Sequence, residues 1–436
     1  MLQLPSLSLD LNLGRRRAAT DVVGLDVQPG LVAAVKVRVN GSIRAERAVV
    51  KPLDADVIRE GEVVDVEALG EALRELFAEG GLDKRVRLGI ANQRSVMRTI
   101  ELPPVTDRKE LAAAVAFQAQ DEVPMPLANA VLDFHPLGVS DTPDGPRQRV
   151  VLVAAQRDMV ERLLSAVRAA GLTPVGVDLS AFALIRSLCR LGEGDAERVL
   201  YLNVDGLTNL AIAQGEICRF TRVIGGGVEA MANELATRRG IPLREARALL
   251  SVVDLSAPAP DPALQQPQAP ALEQDASPDP PSVRVGAAEH DEREFSDEPV
   301  EQPASSPEEH EAHEASMGFL EAMAHAEAPV AEPAPAPAAS TDDIRVVLEN
   351  GVRELAGEIR NSLDFHRAQD QGGEISYVSM SGAALDLPGF ARALQDSLAM
   401  EVRSEAVGLV DEALAGEVST HRLSVAAGLA TLEAPR

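Results

Sequence analysis

The chain has 436 residues, 45% hydrophobic and 25% charged, enough to build two cores of ordinary size. Its formal charge of −27 argues against a nucleic-acid binder, because phosphate contact needs basic patches. Its two cysteines, Cys189 and Cys218, have neither metal nor redox spacing and read as buried free thiols of a reducing compartment.

In chain order, residues 1–19 form a tail in which Leu7, Leu9, Leu11 and Leu13 alternate ahead of Arg15, Arg16 and Arg17. A period of two suits a strand added to a sheet edge, of this chain or a partner. The basic triplet suits an anionic membrane surface, and a frayed terminus is the plainer alternative. No apolar run approaches the ~20 residues of a spanning helix, and none has the flanks of a signal peptide. Val22–Val27 then reads as a strand, Gln28-Pro29-Gly30 as a turn, and Val32–Val39 as a strand with Lys36 and Arg38 outward. Asn40-Gly41 turns the chain again before Ile43. Leu69, Leu73, Leu76 and Phe77 give Val66–Glu79 a helical apolar face, ended by Gly80-Gly81. Val86–Ile90 is a strand.

From Asn92 the character changes. A strand runs to Leu102, Pro103-Pro104 breaks it, and a helix starts at about Thr106, which with Lys109-Glu110 makes an imperfect capping box. Val131–Leu137 is a strand, Asp141–Arg147 a polar loop, Val150–Ala155 a strand, Arg157–Ala170 a helix and Pro174–Val177 a strand. This succession predicts a small α+β module inserted in the first lobe. Asp178–Leu191 is a helix with Phe182, Leu184, Ile185 and Leu188 on its apolar face.

Leu200–Gly227 repeats the N-terminal outline: a strand into Val204, a turn at Asp205-Gly206, a strand through Leu210 and Ile212, a turn at Gln214-Gly215, and Ile217–Arg222. Tight glycine turns expose backbone N–H groups, and such a nest beside an acidic strand end suits a metal-bound phosphate. Two copies of one meander predict two related lobes facing each other. Helices follow at Val228–Arg239 and Leu243–Val252.

Residues 256–340 hold about half of the prolines and eighteen acidic residues against Arg284 and Arg293, a composition that predicts disorder. Within them, Ser306-Pro307-Glu308-Glu309 has a helix-start signature ahead of Phe319, Leu320 and Met323, an apolar edge for a partner. His310 and His313 read as solvated rather than as metal ligands. Helical periodicity resumes over Ile344–Gln369. The strand Ile375–Met380, the turn Ser381-Gly382, the helix Leu387–Met400, the strand Val402–Ala406 and the small-residue helix Ser424–Leu429 complete the chain.

The stretches GLDV…VKV, LNVDGLTN and VSMSGAA resemble the two phosphate loops and the adenosine loop of actin-like nucleotide-binding proteins. Asp178-Leu179 to Arg186 and Ala426-Ala427-Gly428-Leu429 resemble their two connecting helices. Together with MRTIELPPV, DEVPMPLANAVLDFHPL, VLVAAQRDMVERLLSAVRAAGLTPVGVDLSAFAL and EIRNSLDFHRAQDQGGEISYVSMSGAA, these stretches resemble the PilM family of type IV pilus assembly proteins, relatives of the division protein FtsA. The resemblance implies an α/β (α+β) fold of two actin-like lobes, built as duplicated ribonuclease-H-like domains. The first lobe is expected at 20–91 and 168–198, and a small partner-binding α+β subdomain at 92–167. The second lobe is expected at 199–255 and 341–436, with the long disordered acidic insertion at 256–340.

The resemblance also implies ATP with Mg²⁺ between the lobes. The candidate nucleotide contacts are Asp26, Gln28, Pro29 and Gly30, then Asp205, Gly206, Leu207 and Thr208, then Gly225, Gly226 and Gly227, and finally Ser381, Gly382 and Ala383. Asp26 and Asp178 are the metal candidates, and Asp178 and Asp205 are the candidate bases, each also readable as a helix N-cap or a turn residue. Several departures point to a degenerate cleft. Gln28 and Pro29 stand where the family has glycine and serine, and Ala33 where it has lysine. Asn203 replaces the aspartate of the second loop, and Ala246-Arg247-Ala248-Leu249-Leu250 lacks the ribose and base contacts. Proline removes an N–H donor, and a side chain at Gln28 obstructs a phosphate. The expected function is therefore a cytoplasmic adaptor that holds the tail of a PilN-like inner-membrane protein. It would be peripheral to the membrane through that partner, with contacts to other pilus platform proteins and self-association also in view. An ATPase or small-molecule phosphotransferase is the alternative. Leu102, Phe117 and Val123 are the candidate groove residues.

Overall fold

A computed structural model of the chain describes residues 22–143, 145–189, 197–257, 341–369, 373–411 and 418–431. The leucine-rich tail and, of the stretch expected to be disordered, residues 258–340 with the helix-start signature at Ser306 and with His310 and His313 fall outside them.

Three antiparallel strands open the first lobe: β1 (Val23–Gln28), β2 (Leu31–Asn40) and β3 (Ser42–Pro52). A two-residue pairing of β4 (Ile58–Arg59) with β5 (Glu62–Val63) leads to α1 (Val66–Gly80), whose Asp65 side chain caps the Ala68 N–H. Strand β6 (Arg85–Ile90) lies parallel to β1. Then come β7 (Val96–Leu102), α2 (Arg108–Glu122), β8 (Ala130–Thr142), β9 (Gly145–Gln156) and α3 (Arg157–Ala169). Strand β10 (Thr173–Leu179) returns parallel to β6, and α4 (Ser180–Leu188) leaves for the second lobe.

The second lobe opens with β11 (Arg198–Val204), β12 (Thr208–Gln214) and β13 (Ile217–Ile224), followed by α5 (Val228–Arg239) and α6 (Leu243–Leu250). After residue 340 come α7 (Thr341–Gln369), β14 (Ile375–Ser381), α8 (Phe390–Leu398) and β15 (Val402–Ser404). Strand β16 (Gly408–Leu409) and helix α9 (Ser424–Leu429) follow. The two large sheets run β3-β2-β1-β6-β10 and β13-β12-β11-β14-β15, the same order twice, with β16 added outside β3. Each is an antiparallel meander continued by two parallel strands, which is the duplication that the repeated outline predicts.

One face of the first sheet packs on α1 and α3 through Leu69, Leu73, Leu76, Leu164 and Val167. The matching face of the second sheet packs on α5 to α8 through Leu235, Leu250, Leu348, Ile359 and Leu394. The opposite faces take α9 and α4 respectively. These two helices cross closely because their residues are small: a Cβ on Gly428 would lie 1.9 Å from the Ala183 carbonyl oxygen. Likewise a Cβ on Gly24 would lie 1.8 Å from that of Ala426.

The three-stranded sheet β7-β9-β8 sits between β6 and α3 in the chain. Its central strand is buried on both faces, and strand alternation splits its side chains. Val150, Leu152 and Ala154 meet α2 residues Leu111, Val115 and Ala119, while Val151, Val153 and Ala155 enter the core of the first lobe.

Local expectations change in four places. Asp107, not Thr106, caps α2, its carboxylate accepting the Lys109 and Glu110 N–H groups at 2.9 and 3.0 Å. The polar stretch 141–147, expected as a loop, extends the β8–β9 hairpin to a Thr142↔Gly145 pairing, because a ladder needs backbone partners and not apolar side chains. Residues 157–167, expected in the inserted subdomain, bury Met159, Val160, Leu163 and Leu164 in the first-lobe core. Asp178 belongs to β10 and does not head α4, since its backbone is paired opposite Gly89.

Candidate functional site

The first turns of the two meanders meet between the lobes. At the end of β1, Asp26 and Gln28 lie two residues apart and so share a face. The Gln28 Nε2 donates to Asp26 Oδ2 at 2.9 Å. Pro29 and Gly30 close the hairpin, with φ of 79° at Gly30 supplying the left-handed conformation that glycine tolerates. At the end of β11 the same spacing recurs with the groups exchanged: Asn203 Nδ2 donates to Asp205 Oδ2 at 2.8 Å.

The second turn is knitted to the adenosine-loop segment. Asp205 Oδ1 accepts the Ala383 N–H at 2.7 Å, and the Ser381 hydroxyl donates to Asn203 Oδ1 at 2.9 Å. The Thr208 hydroxyl donates to the Gly226 carbonyl at 2.7 Å, and the Val228 N–H to the Asp205 carbonyl at 2.8 Å. The Gly382 N–H is taken by the His421 carbonyl at 3.0 Å. At Gly382, φ is 98° and a Cβ would lie 2.7 Å from the Val204 backbone, so only glycine fits. Asp205, expected to face an anion, a metal or a substrate proton, is instead a staple between two loops. Burial pushes its carboxyl up from the ordinary value, and the Ala383 and Asn203 donors offset part of that.

The two turns touch. The Gln28 Oε1 accepts the Leu207 N–H at 3.5 Å, and a Cβ on Gly206 would lie 2.2 Å from the Pro29 carbonyl oxygen. Beside them, the Glu229 carboxylate pairs with Arg247, which also donates to the Leu53 carbonyl at 3.4 Å. Gly30 packs on this pair, where a Cβ would lie 2.6 Å from Glu229 Oε2. Asp26, Gln28 and Asp205 are 3%, 1% and 2% exposed, so the floor between the lobes is closed.

ATP with Mg²⁺ does not fit these residues as they stand. The Leu207, Gly382 and Ala383 N–H groups already have acceptors within the chain, and Gln28 and Pro29 fill the space between the turns. One carboxylate oxygen, Asp26 Oδ1, is buried without a hydrogen-bond partner. Burial, chiefly, pushes this carboxyl up to about 7 despite the Gln28 hydrogen bond, and the charge of Asp205 adds to the rise. Asp178, the other metal candidate, is ion-paired with Arg186, whose Nε also donates to the Gly428 carbonyl at 3.2 Å. The pair satisfies Asp178 within the α4–α9 crossing. Among the described residues no three His, Cys, Asp or Glu side chains gather to hold a metal.

Gly225, Gly226 and Gly227 adjoin the closed floor, where a Cβ on Gly227 would lie 2.2 Å from the Asp205 carbonyl oxygen. They line a cavity of about 320 Å³ with Met231 and Glu234 of α5 and Glu354, Leu355 and Glu358 of α7. Two of its three carboxylates, Glu234 and Glu358, are ion-paired with Arg238 and Arg222. Of the groove candidates, Leu102 and Val123 are buried in the core beneath α2, whereas Phe117 on its outer face is 71% exposed. Cys189 and Cys218 are not joined in a disulfide, and burial pushes the Cys218 thiol up to about 12.

Sequence reasoning missed the Gln28–Asp26 and Asn203–Asp205 bonds, although their two-residue spacing at strand ends was a usable signal. It also missed Glu229 with Arg247, which no local spacing betrays because the two are on different helices.

No helix of the described residues is long and apolar enough to cross a membrane. A solved PilM–PilN type IV pilus biogenesis complex holds a chain similar to this one at 21% identity and a TM-score of 0.66, matching 95% of this chain and 98% of that one. The ethanolamine utilization protein EutJ from Carboxydothermus hydrogenoformans is 13% identical, with a TM-score of 0.46 over 94% of this chain and 88% of its own. MreB5 of Spiroplasma citri, solved with ADP, is 11% identical, with a TM-score of 0.44 over 94% and 95%. The fold is that of the PilM–PilN chain, two lobes built on sheets of the same strand order. The family described as type IV pilus assembly protein PilM matches residues 24–255, just over half of the chain, and the chain belongs to that family.

Proposed function

We propose that this chain is an actin-like adaptor of the type IV pilus assembly platform that binds the cytoplasmic N-terminal tail of a PilN-like inner-membrane protein. In this reading the protein is cytoplasmic and held at the inner face of the membrane by that partner. The lobes are 20–91 with 157–198, and 199–255 with 341–436. The three-stranded segment within 92–167 is the partner-binding subdomain, and the cleft is degenerate.

The observation that carries the reading is Phe117. It is 71% exposed on α2, a helix whose opposite face buries Leu111, Val115 and Ala119. An aromatic ring left in water on a small subdomain is the type of anchor that dominates binding energy at interfaces. Family membership and the likeness to the PilM–PilN chain support the choice of partner. Titration calorimetry with a synthetic PilN-like N-terminal peptide tests it. Phe117→Ala should weaken binding by roughly tenfold or more, the loss of one hot-spot residue. Unchanged affinity would remove α2 from the interface, and no binding by the unaltered protein would remove the partner.

A further inference from the structure

We infer that Gln28 and Pro29 are a built-in occupant of the position between the lobes where a nucleotide's phosphates would lie, so that the chain clamps itself shut without nucleotide. The side-chain amide of Gln28 is the bridge. It donates to Asp26 in the first lobe and accepts from the Leu207 N–H in the second, at 2.9 and 3.5 Å. A phosphate oxygen would seek that N–H, and the amide oxygen takes it without adding charge. Pro29 completes the seal. It brings no N–H of its own, and its carbonyl oxygen sits against the Cα of Gly206, where even one methyl group would collide at 2.2 Å.

Three further contacts hold the same closure. Leu207 Cδ1 packs at Gly61, where a Cβ would lie 3.2 Å away, and Gln93 lies against Gly225. The Arg247–Glu229 pair of the second lobe grips the Leu53 carbonyl and the Gly30 turn of the first. A clamp made of a neutral amide, a carbonyl and a paired guanidinium needs no bound anion to neutralise a cation or to satisfy its donors. The burial that raises the Asp26 carboxyl agrees with this, because it favours a protonated group at the bridge.

The clamp uses no residue of the α2 surface, so this experiment and the peptide titration fail independently. The test is a titration of the full chain with a fluorescent ATP analogue and Mg²⁺, with melting temperature followed in parallel. The unaltered protein should neither bind at millimolar nucleotide nor gain melting temperature. The double substitution Gln28→Gly with Pro29→Ser should bind at least about tenfold more tightly and be stabilised by ligand. Hydrogen exchange on the unaltered, nucleotide-free protein gives a readout that no folding defect affects: the Leu207 amide should be protected like a strand amide. Nucleotide binding by the unaltered protein overturns the clamp, and so does a Leu207 amide that exchanges like an open loop. A double variant that folds but gains no nucleotide binding overturns the role of Gln28 and Pro29.

Discussion

The two lobes end their first strands with near-mirror tripeptides, Asp26-Val27-Gln28 and Asn203-Val204-Asp205. Each ties a carboxylate to an amide two residues away, at 2.9 and 2.8 Å. Exchanging the order of the two groups changes what each turn does. With the carboxylate last, Asp205 reaches the Ala383 N–H, and both of its oxygens are satisfied inside its own lobe. With the amide last, Gln28 reaches the other lobe, and the carboxylate behind it keeps one oxygen unpartnered. One turn therefore builds a lobe and the other joins two.

Asp205→Ala should show the largest effect. It leaves the Ala383 N–H and an Asn203 amide proton buried without acceptors, costing roughly 2–4 kcal/mol by urea denaturation. A loss below about 0.5 kcal/mol would mean that the second turn is not the staple described. Next comes Gly206→Ala, whose methyl group meets the Pro29 carbonyl. The backbone must shift, and the expected cost is roughly 1–3 kcal/mol. Gly226→Ala, with nothing within 4 Å of its Cβ position, should be silent on the same assay.

The pH dependence of stability probes the first turn. Asp26 is pushed up to about 7 from an ordinary 3.8, so the folded chain keeps a proton that the unfolded chain releases from about pH 4 upward. Its contribution to stability is complete below about pH 4 and is lost as the pH rises through about 7, at roughly 1.4 kcal/mol per unit. Asp26→Asn should flatten that part of the slope, read as the difference in urea midpoints between the two proteins from pH 4 to 8. Identical slopes would show that Asp26 is ionised in the fold. The effect of Phe117→Ala on stability is also small, expected within about 0.5 kcal/mol because the ring is already in water. That silence is what makes the same substitution a clean probe of partner binding.

Much of the architecture was legible because meanders, helix faces and turns are local. Strand alternation and glycine turns gave both halves of the duplication, and the spacing of Leu69, Leu73 and Leu76 gave α1. The seating of the subdomain was not legible. It depends on β9 being buried on both faces, and Val150–Ala155 reads as one apolar run whichever core each residue enters. Residues 157–167 were misplaced for the same reason, since an amphipathic helix does not say which sheet it covers.

By itself the sequence determined a two-lobed, actin-like member of a pilus assembly family, because the repeated meander and the loop motifs are short-range patterns. It also determined that proline and glutamine stand where small residues would admit a phosphate. Only the tertiary structure decided what those residues do instead. Whether Gln28 merely obstructs or actively bridges depends on Leu207, which lies 179 residues away. Whether Asp205 is a base or a staple depends on Ala383, 178 residues away. A buried carboxylate takes its role from the donors that surround it, and those donors come from strands that only the folded sheets bring side by side.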